Sequence, residues 1–130
     1  MSKFFTTFYS NVKNLPGEIV PISIAGKCPD GWSGLEFKVL APKKAFFMEW
    51  KRNGDNGFYI QHFHDEVLSR LDPDAVWNRL LELSGGRPFA LCCYEKPGDF
   101  CHRHLVSEWL REAGHEIGEW SEEPSEEPLF

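Results

Sequence analysis

No stretch of this 130-residue chain stays apolar for the roughly 20 residues that a bilayer-spanning helix needs, so no membrane segment is expected. The short signatures of common chemistries are missing too. There is no phosphate-binding P-loop, no Gly-x-Gly-x-x-Gly turn and no Gly-x-Ser-x-Gly elbow. Nucleoside triphosphate, dinucleotide and serine-hydrolase chemistry of the usual kinds are therefore not indicated. The first residues, "MSKFFTTFYSNVKN", carry neither a long apolar stretch nor a small-residue cleavage site, which leads us to expect a cytoplasmic protein. Its four cysteines are then expected to be reduced thiols.

Internal repeats and long linkers are also absent. The length suits one domain over residues 1–120, followed by an acidic tail at 121–130. The net charge is −6, but the four glutamates of "EEPSEEPLF" supply most of it and leave a body near −2. Such a tail reads as a solvated, mobile end, with a docking segment as the alternative. A body so weakly charged gives little support to a nucleic-acid partner. It leaves room for one local anion site.

What is present is apolar and aromatic. These classes make up 42% and 15% of the residues, enough for a globular core rather than disorder. "KFFTTFYS" (3–10) and "EIVPISIAG" (18–26) read as strands, with Pro21 expected to delay or bulge the second. "GKCPDGWSGLEF" (26–37) reads as a long surface loop carrying Trp32. "APKKAFFMEWKRNG" (41–54) has the proline start and glycine stop of a helix. "FYIQHF" (58–63) looks like a strand, and "HDEVLSRL" after it could begin a helix. In "LDPDAVWNRLLELSGG" (71–86), Asp72 can cap, Pro73 suits the first turn, and Val76, Trp77, Leu80 and Leu81 share a face. "PFALCCYE" (88–95) is a buried strand, "CHRHLVSEWLREAG" (101–114) an amphipathic helix, and "HEIGEW" (115–120) a closing strand. Alternating helices and strands with short connections predict a three-layer α/β fold around a mainly parallel sheet.

The junction "ALCCYEKPGDFCHRHLVSEWL" (90–110) gathers most of the reactive side chains. Ligands of parallel sheets bind beyond the carboxyl ends of the strands, at helix N-termini. Cys93, Glu95 and Lys96 fall at the strand's end, and Cys101, His102, Arg103 and His104 in the first helical turn. Amide groups and a cation there favour an anion and lower a thiol's pKa. The bland reading makes Cys92 and Cys93 core residues, Lys96-Pro97-Gly98-Asp99 an ordinary turn and Asp99 a cap.

The words "CYEKPGDFCHRHLVSEWL", "PISIAGKCPDG" and "LAPKKAFF" resemble the family called domain of unknown function 488, over roughly residues 3–120. Its members carry Cys-x-Glu and then Cys-His-Arg before a helix. The resemblance implies a small Rossmann-like domain of bacteria and phages with no settled activity. Carried over by position, its motif is Cys93, Glu95, Cys101, His102 and Arg103. This chain adds His104 and the Cys92-Cys93 doublet.

Three functions compete. In the first, a small anionic or nucleotide-like ligand is held by Arg103, Lys96, His104, Cys93 and Trp32. Glu95 then acts as base or nucleophile, Cys101 as activated thiol and His102 as proton carrier near neutral pH. In the second, Cys93, Cys101, His102 and Cys28 bind zinc without the usual Cys-x-x-Cys knuckle, or His62 and His64 near Asp65 and Glu66 bind a metal. In the third, Trp32 with Lys43, Lys44, Lys51 and Arg52 forms a non-catalytic contact surface for a nucleic acid or a regulated protein. The first is preferred, with Cys101 accessible, Arg103 facing a cleft beside Glu95, and no tightly bound metal.

Overall fold

The computed structural model describes residues 3–94 and 100–120. Its central strand, β4 (Phe89–Cys93), is buried at every position. That is why FALCC shows no alternation: a parallel strand covered on both faces has no polar side. β1 (Phe5–Phe8), β2 (Val20–Ser23), β3 (Leu35–Glu36) and β5 (Gly118–Glu119) join it. Among the described residues the order is β3-β2-β4-β1-β5, and every pairing is parallel. The expected α/β fold around a parallel sheet is the one the chain adopts.

Among the described residues four helices, α1 (Lys44–Asn53), α2 (Asn56–Glu66), α3 (Pro73–Ser84) and α4 (His102–Glu112), occur in the two crossovers that move toward β5. Right-handed crossovers in one direction put their helices on one face of the sheet. That face presents Ile22, Ile24, Phe89 and Leu91 to Phe46, Phe63, Leu80, Val106 and Leu110. The β1–β2 and β2–β3 connections move the other way and cover the opposite face. This second layer is thin: a 3-10 turn (Tyr9–Asn14) and the Trp32 loop, packed on Ile19, Ala90 and Cys92.

Helix α3 follows its sequence closely. The Asp72 carboxylate accepts from the Ala75 amide at 3.0 Å, Pro73 opens the first turn, and Gly85 closes the helix at φ 69°. Asp72→Ala is expected to cost about 1 kcal/mol of stability, the usual worth of such a cap. A chemical denaturation curve with unchanged slope and a lower midpoint would show it.

Two expectations need correction. Residues 58–63 are not a strand but the middle of α2. Phe and Tyr favoured the strand reading by composition, yet the buried pair Tyr59 and Phe63 is spaced four apart, as on a helix face. Asp55 caps the helix by accepting from the Phe58 amide at 3.2 Å. Pro21, expected to delay or bulge β2, sits inside it without interrupting the pairing to β4. The amides of Val20 and Ile24 point toward the β4 side, so the donor Pro21 lacks would face β3. The β3 pairing begins only at Ile22, and no ladder bond is lost. The loop over 26–37 also contributes β3 near its end.

Candidate functional site

Phe8 and Cys93 lie side by side at the carboxyl ends of β1 and β4. On the other side of Cys93 the chain leaves β2 toward the thin layer, while β4 leaves toward the helical layer, so a crevice opens between these two departures. On its helical side is a cleft of about 780 Å³. Cys93, Cys101 and His102 form one wall, and Phe47, Trp50, Tyr59 and Phe100 another. Lys27, Lys44 and Lys51 also line it. The aromatic wall is a packed unit, with Phe100 5.5 Å from Trp50 and 4.9 Å from Tyr59. Tyr94 donates to the Lys27 carbonyl at 2.6 Å and ties that loop to the end of β4.

The cysteine wall follows from local structure. Odd positions of β4 face the helices, which puts Cys93 beneath the start of α4. Cys101 takes the extended N-cap position there. The two sulfurs are joined as a disulfide, 2.04 Å apart, with Cα atoms 7.4 Å apart. The expectation of four reduced thiols therefore fails at this pair, because the fold brings together cysteines eight residues apart. Cys28 and Cys92 are free. Burial pushes the Cys92 thiol up to about 12, as suits an inert core residue.

His102 is buried under α2, its ring 5.6 Å from that of Phe63. Its Nε2 donates to the Ile24 carbonyl at 2.8 Å, since a carbonyl only accepts. Nδ1 then carries the lone pair and lies 3.9 Å from Cys101 Sγ. Burial holds the imidazole down to about 4, outweighing the Ile24 bond that favours its cation. His102 is thus a neutral base at ordinary pH and does not cycle protons near neutrality as expected.

Arg103 is fully buried rather than turned to the cleft. Its Nε and Nη2 donate to the two Glu119 oxygens at 3.2 and 2.9 Å, and Nη1 donates to Cys93 Sγ at 3.3 Å. Thr6 also donates to Glu119, at 2.6 Å. Glu119 stands on β5 directly beside Thr6 of β1, on the helical face. A carboxylate from the last strand therefore anchors the guanidinium under the cysteine.

The model described as "DUF488-N3a: Active DUF488-N3 subclade" matches residues 10–114. The chain belongs to this family. No curated protein and no solved structure matches it. The resemblance seen in the Cys-x-Glu and Cys-His-Arg words is thereby confirmed at the level of family.

In this DUF488-N3a protein the remaining candidate residues are dispersed. Glu95 and Lys96 lie outside the described residues, as do Asp99 and the acidic tail. Cys101 is 3% exposed, so the thiol expected to be accessible sits flush in the cleft wall. His104 is half-buried beside the site; burial and then the Arg103 charge lower its pKa. Trp32 belongs to the opposite face of the sheet, where its indole donates to the Leu35 carbonyl and its ring meets Tyr9. Cys28 is on that side too, bonded to Ser23 Oγ at 3.2 Å, and does not join the zinc set imagined for it. His62 and His64 fall two apart on a helix and diverge, and His62 pairs with Glu66 at 2.6 Å. Their metal site rested on the strand that is not there. Of the helix cations, Lys44 and Lys51 line the cleft, and Arg52 pairs with Glu49. No described helix is long and apolar enough to cross a membrane.

Sequence reasoning missed the aromatic wall. One signal was available in α1, where Phe46 alone is buried while Phe47, Met48 and Trp50 follow on other faces. A helix with more large apolar residues than its core stripe can hold has a second surface to cover or to offer.

Proposed function

We propose that the cleft binds a small aromatic anion of the nucleotide type, and that the Cys93, Cys101 and His102 wall carries the chemistry done on it. The observation that carries this reading is the composition of the cleft. The rings of Phe47, Trp50, Tyr59, Tyr94 and Phe100 and three lysines line about 780 Å³, beside the only cysteine-histidine cluster found among the described residues. Such a volume is ordinary for a small-molecule site, and planar rings with nearby ammonium groups suit a base with its phosphate. The anion-holding role falls to Lys27, Lys44 and Lys51 in place of Arg103, whose guanidinium is engaged by Glu119. The word "Active" in the family description supports a catalytic role over simple binding.

Calorimetric titration of the full chain with nucleotides, the matching nucleosides and pentose phosphates tests this. Nucleotides are expected to bind best, because only they use both the rings and the lysines. Lys44→Ala and Lys51→Ala should each weaken nucleotide binding roughly five- to tenfold, about 1–1.4 kcal/mol. The loss should shrink at high salt, as for any partly exposed charge contact. Equal affinity for nucleosides, or indifference to both lysine changes, would refute the reading. Trp32→Ala, on the other face, should leave binding unaltered.

A further inference from the structure

We propose that Cys93, Cys101 and His102, with the Cys93–Cys101 bond reduced, form a three-ligand site for a thiophilic divalent cation such as zinc, its fourth position open to the cleft. This deepens the proposed function by naming what the reactive wall holds; it depends on that reading only for the substrate.

The donor geometry is the first support. The two sulfurs and the His102 nitrogen all lie within 4.8 Å of one another. Zinc bonds of about 2.0–2.3 Å in a tetrahedron place neighbouring donors roughly 3.3–3.8 Å apart. Cys101 Sγ and His102 Nδ1 are already 3.9 Å apart. The sulfurs need only separate by a side-chain rotation. The 7.4 Å between their Cα atoms gives room for this, since it exceeds the about 4.4–6.8 Å usual for directly bonded cysteines.

The surroundings of the donors are the second support. Ile24 fixes the histidine by accepting from Nε2, which aims the Nδ1 lone pair at the sulfurs. A backbone carbonyl behind a histidine in this way is the usual outer partner of a metal ligand. Arg103 bonds to Cys93 Sγ and would oppose a cation if unbalanced, but its charge is met by Glu119. Two thiolates then neutralise the dication. The other described cysteines cannot complete a closed set, because Cys28 and Cys92 lie on the opposite face of the sheet. Three protein ligands with the last position facing a cleft is the arrangement of reactive zinc, where bound water ionises near pH ~7.

Loading requires a dithiol reductant. It gives two electrons and two protons to the Cys93–Cys101 bond and is itself oxidised to a cyclic disulfide. The two thiols release their protons as they bind the cation. The full chain, reduced in this way and dialysed first against zinc and then against metal-free buffer, is expected to retain one ion per chain by elemental analysis. Cobalt in its place should give a thiolate-to-metal absorption band that is halved in Cys93→Ser and in Cys101→Ser and unchanged in Cys28→Ser. Should the serine variants misfold, alkylation of the unaltered chain decides the matter: zinc should protect Cys93 and Cys101 from iodoacetamide, and a chelator should remove the protection. Substoichiometric zinc, a full cobalt band in either serine variant, or equal alkylation with and without zinc would overturn the inference. Zinc binding without nucleotide binding would sink the proposed ligand and leave the metal site standing; the reverse would do the opposite.

Discussion

Replacing Arg103 with leucine is expected to destabilise the fold by about 3–5 kcal/mol, the cost of leaving one partner of a buried ion pair alone. The guanidinium has no solvent contact, and the Glu119 side chain keeps 26% of its surface in water. Glu119 can recover some hydration when stranded, so the loss should fall toward the lower end of that range. The sequence suggested a different placement, with Arg103 facing a ligand in the cleft. Arg79 and Glu82 provide the contrast within the same molecule. They pair at 2.9 Å with side chains 57% and 68% exposed, and Arg79→Ala should change stability by less than about 0.5 kcal/mol. Urea unfolding of both variants compares them directly. If Arg103→Leu proved as mild as Arg79→Ala, the buried network under Cys93 would not contribute as its geometry indicates.

Phe63→Ala is expected to cost about 3–5 kcal/mol and to loosen the site as well. Phe63 is fully buried in α2, stacks 6.0 Å from Tyr59 and meets the His102 ring edge-on at 5.6 Å. Truncation opens a cavity behind a residue of the cysteine wall and beside one of the aromatic wall. Ligand affinity should therefore fall together with stability. Phe63→Leu restores most of the volume, should cost less than about 1.5 kcal/mol and should recover most of the binding. A loss of stability in Phe63→Ala with binding unimpaired would mean that α2 supports the fold without holding the wall.

The site was legible only in part. Cys93, Cys101 and His102 were found from the strand-loop-helix junction, since the end of a parallel strand and the start of the next helix must meet. Their neighbours were not, because Ile24 just past β2, Phe63 of α2 and Glu119 of β5 are distant in the chain and nothing in a local word indicates them. Arg103 shows the limit most clearly. A cation in the first turn of a helix suits an anion outside equally well as a carboxylate inside. The choice was made by β5, which sets Glu119 beside Thr6 and 2.9 Å from the guanidinium.

By itself the sequence determined what depends on neighbours along the chain. Asp72-Pro73 and Gly85-Gly86 bound α3, the apolar run 88–94 holds the central strand, and alternating elements with short connections produce a parallel sheet. The Cys-x-Glu and Cys-His-Arg words also fixed the family. Only the tertiary structure decided which of the reactive side chains share a space. Strand order placed the crevice between β2 and β4, carried Trp32 and Cys28 to the far face, and brought α1 and α2 over the cysteine wall. Those outcomes depend on crossover direction and on packing between residues far apart in the chain. Periodicity and spacing contain neither, because they register only which face a residue takes within its own element.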